Sequence, residues 1–159
     1  MEHDYNLYRF IKAQENNYGI ALQEIRNGRK YSHWIWYIFP QMRGLGRSHN
    51  SEFYGIISID EAIAYLNEPI LNSRLREITL ALLSNEGKSA REILGDIDAR
   101  KVRSSMTLFD MVSPNDLYAQ VLDKFYEGRR CGRTIRVLDD RNAHSGHRWI
   151  KRGSGNYIS

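Results

Sequence analysis

Tyr31-Ser32-His33-Trp34-Ile35-Trp36-Tyr37-Ile38-Phe39-Pro40-Gln41, residues 31–41, places five aromatic rings in the nine positions from Tyr31 to Phe39, with a histidine among them. No other part of the chain is as dense in rings. So much aromatic surface does not all face water, and the segment is therefore the centre of the core or a pocket wall with core behind it. Its apolar residues run too continuously for periodicity to separate a buried helix from a buried strand. The neighbouring segments favour the helix.

On the N-terminal side, Leu7, Phe10, Ile11, Tyr18, Ala21, Leu22 and Ile25 follow helical spacing with an interruption at Asn16-Asn17. This predicts helices over 5–15 and 17–27, with Asp4 as an N-cap and Gly28 as the residue that ends the second. On the C-terminal side, Met42 to Ser48 reads as a loop with two glycines, and Ser48 as the cap of a short helix through Tyr54. Ser58-Ile59-Asp60-Glu61 and Ser89-Ala90-Arg91-Glu92 match the capping box, in which serine and glutamate satisfy each other's backbone amides. Pro69 suits a first helical position, and Ile70, Leu71, Leu75, Ile78, Leu82 and Leu83 form an apolar stripe behind it. Lys101 to Phe109 is helical in the most economical reading, although the Ser104-Ser105 pair weakens a helix interior. Ser113-Pro114-Asn115-Asp116 signals a further start, running to Gly128. No segment alternates like a series of strands.

These segments give an all-α, compact single-domain bundle of roughly seven helices with short loops over 4–140, followed by a flexible basic C-terminal tail over 141–159. At 159 residues and 42% hydrophobic content the chain can bury a core of its own. The net charge of +4 is unevenly placed. From Arg129 onward eight bases face two acids, which leaves the rest of the chain at −2. Nucleic-acid or protein contact through the tail is therefore one reading; solubility is the commoner role of such an end. No basic region followed by an apolar run opens the chain, and no apolar stretch approaches the roughly 18 residues of a membrane span. The expectation is a soluble cytoplasmic protein without membrane contact, a monomer or small homo-oligomer.

Several motifs together resemble one family. They are His33 to Gln41, Gly44-Leu45-Gly46-Arg47-Ser48, the run Ala62…Tyr65-Leu66…Pro69…Leu71…Arg74-Leu75, and Lys101…Ser104-Ser105-Met106-Thr107-Leu108-Phe109. In this order the chain resembles the bacterial domain-of-unknown-function family 1810, over roughly Asp4 to Leu138. The resemblance implies a helical domain and no settled activity. A calpastatin label carried by some members does not fit, because that inhibitor is long, repetitive and disordered, whereas this composition is globular. In size, helical character and aromatic segments the chain is also similar, more distantly, to the NADAR family, which implies chemistry on NAD or ADP-ribose. No catalytic motif of that family can be placed on these residues.

The candidate site residues follow from their chemistry. His33 has the protonation range for acid–base work or for binding a phosphate; the plainer reading is a core histidine bonded to a carbonyl. Trp34 and Trp36, two residues apart, cannot share a helix face, so one packs while the other can stack on a base. The Gln41 amide can read a hydrogen-bonding edge or stabilise the turn after Pro40. Gly44, Gly46, Arg47 and Ser48 have the ingredients of an anion site, though they form neither a P-loop nor a dinucleotide fingerprint. Lys101, Ser104 and Ser105 offer a charge and two hydroxyls to a phosphate; the alternative is surface charge with back-bonded hydroxyls. Glu52, Asp98 and Asp110 are the carboxylates near these motifs, and a glycosidic-bond hydrolase needs at least one such group. Cys131 is the sole cysteine, which excludes an internal disulfide, and its cationic neighbours favour a thiolate. No HExxH or paired Cys/His spacing calls for a metal, and no cofactor is expected.

The leading expectation is thus a helical binding domain whose aromatic and histidine pocket takes a small anionic, nucleotide-like ligand. The enzyme alternative is hydrolysis of an N-glycosidic bond in an ADP-ribose-type substrate, with His33, Glu52 and Asp110 as the candidate catalytic residues.

Overall fold

The computed structural model describes residues 5–145, with side chains through Arg141. Within them ten helices follow one another: α1 (Tyr8–Glu15), α2 (Tyr18–Arg26), α3 (Ile35–Ile38), α4 (His49–Phe53), α5 (Ile59–Asn67), α6 (Pro69–Leu83), α7 (Ala90–Leu94), α8 (Asp96–Val112), α9 (Leu117–Tyr126) and α10 (Gly132–Ser145). The expected count of about seven is too low. Helices α3, α4 and α7, each of four or five residues, are too short to display a period and match the local signals read for them, whereas no signal was read for α10. Asp4 and residues 146–159 of the expected tail lie outside the described residues. Helix α10 continues through Ser145 and so enters the span read as tail.

Where capping signals are local, the chain obeys them. Gly28 takes φ +77° after α2. There its amide bonds to the Ile25 carbonyl at 3.0 Å and the Arg29 amide to that of Glu24 at 3.1 Å, the paired bonds of a Schellman ending. The Ser89 box is complete: the Ser89 hydroxyl accepts from the Glu92 amide, and the Glu92 carboxylate from the Ser89 amide. The Ser58 box is only half made. Ser58 caps the Glu61 amide, but the Glu61 carboxylate turns to the Ile57 amide and to Arg9, with which it forms a buried ion pair of 2.9 Å.

Helix α8 is the axis of the core. Val102, Met106, Leu108 and Phe109 are wholly buried on it, and it packs against α3, α5, α7, α9 and α10. The Phe109 ring lies 5.4 Å from Tyr65 on α5 and 5.7 Å from Tyr118 on α9, centroid to centroid. Helix α6 begins at Pro69 and turns Leu71, Leu75, Ile78 and Leu82 inward against α2 and α9. The aromatic stretch supplies only the single turn of α3. Phe39 leaves the helical region (φ −122°, ψ 74°) because the ring of Pro40 disfavours it there. After it, Met42 and Ile56 form an isolated parallel bridge.

Candidate functional site

The two tryptophans have separate environments. Trp34 is core, 1% exposed, with its indole Nε1–H donating to Glu24 Oε1 at 2.9 Å. The same carboxylate accepts from the Tyr31 amide (3.0 Å), the Ser32 amide (3.0 Å) and the Ser32 hydroxyl (2.6 Å). Burial alone raises a carboxyl pKa, yet these donors outweigh it and hold Glu24 down at about 2. Lys30 completes the anchor: it pairs with Asp98 at 2.7 Å, lies 4.8 Å from the Trp34 ring centre and donates to the Ser32 carbonyl. A carboxylate on α2 and one on α8 therefore fix residues 30–34 before α3 begins.

Trp36 remains half-buried, and its Nε1–H is enclosed where no protein group accepts from it. The Lys101 ammonium stands 5.4 Å from its ring centre, close enough for a cation–π contact. Among the described residues no carboxylate pairs with Lys101. Asp98, Lys101 and Ser105 fall within one narrow stripe of α8, since three and four residues are each about one turn. Ser105 is fully buried and its hydroxyl is also without a partner. Ser104 belongs to the adjoining side: its hydroxyl bonds back to the Arg100 carbonyl (3.1 Å), the structural alternative foreseen for it, and to Cys131 Sγ (3.4 Å). His33 is exposed, just ahead of α3.

The glycine loop turns its carbonyls to α10. Arg141 donates to the carbonyls of Arg43 (2.7 Å) and Ile57 (2.8 Å), and Arg133 to that of Leu45 (3.4 Å). Gly44 adopts φ +102°, which glycine tolerates without strain. Gly46 lies against Ser51, whose Oγ a β-carbon there would meet at 2.4 Å. Ser48 is the N-cap of α4, accepting from the Ser51 amide at 3.1 Å. The Gln41 carbonyl accepts from the Ile56 amide at 2.9 Å, so its backbone stabilises the turn. Arg47 is exposed.

The candidate carboxylates are dispersed. Glu52 pairs with Arg43 at 2.8 Å, both about half exposed. Asp110 is buried and pairs with Arg130 at 3.3 Å; burial raises its pKa and the guanidinium partly counters that. Nine residues of helix separate Asp110 from Lys101, or two and a half turns, and place them on opposite sides of α8. Asp98 shares the Lys101 stripe but holds Lys30. The arrangement thus joins Trp36 and Lys101, with Ser105 one turn further along the same stripe of α8, and leaves Glu52 and Asp110 elsewhere. Sequence reasoning missed Glu24, Lys30 and Arg141, since each ties its own element to another and carries no local motif.

Comparison with known proteins agrees with this fold. A family model described as "Protein of unknown function (DUF1810)" matches residues 4–138. The crystal structure of the conserved hypothetical protein Rv1873 from Mycobacterium tuberculosis is similar, with a TM-score of 0.83 and 42% sequence identity over 85% of this chain and 97% of that one. No curated protein matches.

Proposed function

Since the chain belongs to the DUF1810 family, whose description assigns no activity, we propose from the site itself that it binds a small anionic, nucleotide-like ligand beside α3 and α8. Trp36, Lys101 and Ser105 receive it. One observation carries the reading: the enclosed Trp36 Nε1–H, without an acceptor, lies in a ring faced by an ammonium that has no carboxylate. An enclosed donor left unpaired costs about 1–3 kcal/mol, which an acceptor oxygen on a ligand recovers. The Lys101 ammonium selects for that oxygen to be anionic. Ser105 adds an unused hydroxyl on the Lys101 stripe of α8. His33, Gln41, Gly44, Gly46, Arg47 and Ser48 follow or precede α3 in the chain and are the next candidates to contact the remainder of the ligand. The similarity to the NADAR family adds ADP-ribose to the ligands to be tried.

The test is a thermal-shift panel with NAD, ADP-ribose, common mononucleotides and inorganic phosphate. A ligand at 100 times its Kd stabilises the folded state by about 2.7 kcal/mol. Binding should vanish in Trp36→Phe and Lys101→Met while both variants stay folded. A folded wild type that no member of the panel stabilises overturns the proposal. Turnover of an ADP-ribosyl bond in the same samples, abolished by Glu52→Gln or Asp110→Asn, is what the hydrolase reading requires.

A further inference from the structure

Cys131 occupies the N-cap position of α10, where its carbonyl accepts from the Ile135 amide at 3.3 Å. Three residues of α8 converge on it and on the loop before it. Its amide donates to Thr107 Oγ1 at 2.9 Å, its sulfur lies 3.4 Å from Ser104 Oγ, whose one hydrogen is shared with the Arg100 carbonyl, and Arg103 fixes the preceding loop through the carbonyls of Arg129 (2.8 Å) and Arg130 (2.6 Å). Cys131 is partly exposed. Burial pushes the thiol pKa up, but the hydroxyls of Ser104 and Thr134 and the amides of Thr134 and Arg133 favour the thiolate more strongly, and the balance is downward. The Thr134 hydroxyl, which lies near the sulfur, points to something that joins it. Thr134, one turn into α10, is fully buried and its hydroxyl makes no hydrogen bond of sound geometry. Helical side chains lean towards the N-terminus, so this hydroxyl faces the Cys131 end of the helix.

We propose that Cys131 is a peroxide-sensitive thiol, oxidised to a sulfenic acid whose added oxygen is bound by the Thr134 hydroxyl. The thiolate sulfur attacks one oxygen of a hydroperoxide. An S–O bond forms and the O–O bond breaks. Sulfur gives up two electrons, the peroxide accepts them, and the departing hydroxide or alkoxide takes a proton from water. Cys131 is the only cysteine in the chain, so no internal disulfide follows, and reduction falls to an external thiol through a mixed disulfide. An oxygen on the sulfur also gives the buried Thr134 hydroxyl the acceptor it lacks, which a second sulfur, a weak acceptor, does not.

The experiment treats the full-length reduced chain with hydrogen peroxide, traps sulfenic acid with dimedone and follows the adduct by intact mass. The same chain unfolded in urea serves as the reference. Folded Cys131 should react about tenfold faster than the unfolded chain, the size of one hydrogen bond to a charged group. Thr134→Val should lose that advantage, Thr134→Ser should retain it, and Cys131→Ser should give no adduct. The proposal is overturned if the folded chain reacts no faster than the unfolded one. It is equally overturned if folded Thr134→Val matches the wild type, because the hydroxyl is then only a structural group. Should Thr134→Val fail to fold, the folded-against-unfolded comparison and Thr134→Ser still decide.

Discussion

At the scale of single residues, Glu24 is the group on which the aromatic segment depends. Its carboxylate takes four hydrogen bonds from Tyr31, Ser32 and Trp34. Because its folded pKa of about 2 lies below its ordinary value of 4.5, ionised Glu24 stabilises the fold above pH 4.5. That stability is lost as pH falls from 4.5 towards 2. Glu24→Gln should cost about 2 kcal/mol near neutral pH, after allowance for solvent screening, and should flatten the wild-type decline in urea midpoint across that window. A variant whose midpoint follows the wild-type pH curve would refute this role. The tryptophans should separate as clearly. Trp34→Phe leaves a cavity and one donor fewer for Glu24, a loss of about 2 kcal/mol. Trp36→Phe removes an unpaired donor and should change the urea midpoint little. Their spacing already implied that the two rings do different work, but not which one packs. That depends on Glu24, seven residues before Tyr31, and no periodicity marks it.

Among the elements, the glycine loop and α10 form one unit. A β-carbon at Gly55 would meet Arg43 Cα at 2.7 Å and the Ser51 carbonyl at 2.8 Å, so the backbone beside the Met42–Ile56 bridge must move to admit it. Gly55→Ala should therefore destabilise by about 1–3 kcal/mol. Gly87, where an added β-carbon meets nothing within 4 Å but φ is +73°, should lose only the smaller backbone strain. Arg141 fastens α10 to the same loop through the carbonyls of Arg43 and Ile57. In Arg141→Gln, amide hydrogen exchange across residues 43–46 should quicken several-fold while exchange in α6 stays unchanged; equal rates in both proteins would show that the contact holds nothing. Caps were legible where no distant group competes for a partner, as at Ser89 and Gly28. The Ser58 box failed because Arg9, 52 residues from Glu61, draws the carboxylate away.

For the molecule as a whole, the all-helical character was legible in the stripe of α6 and in the start signals at Pro69, Ser89 and Asp116. The number of helices was not, since a single turn such as α3 has no period to read. Among the described residues no helix is long and apolar enough to cross a membrane. Of the candidate site, the residue types were legible and the grouping was not. Lys101 meets Trp36 only because α8 packs against α3, in the core to which Ile35, Val102 and Met106 belong. The chain has three tryptophans, Trp34, Trp36 and Trp149, and hence three indole N–H signals in a 15N-correlated NMR spectrum, which Trp34→Phe and Trp36→Phe assign. Titration with ADP-ribose and mononucleotides reads the central claim at the atom that carries it. The Trp36 indole signal should move downfield and saturate as its N–H gains an acceptor, while that of Trp34, already bonded to Glu24, stays in place. A Trp36 signal that remains fixed with every ligand of the panel contradicts the account.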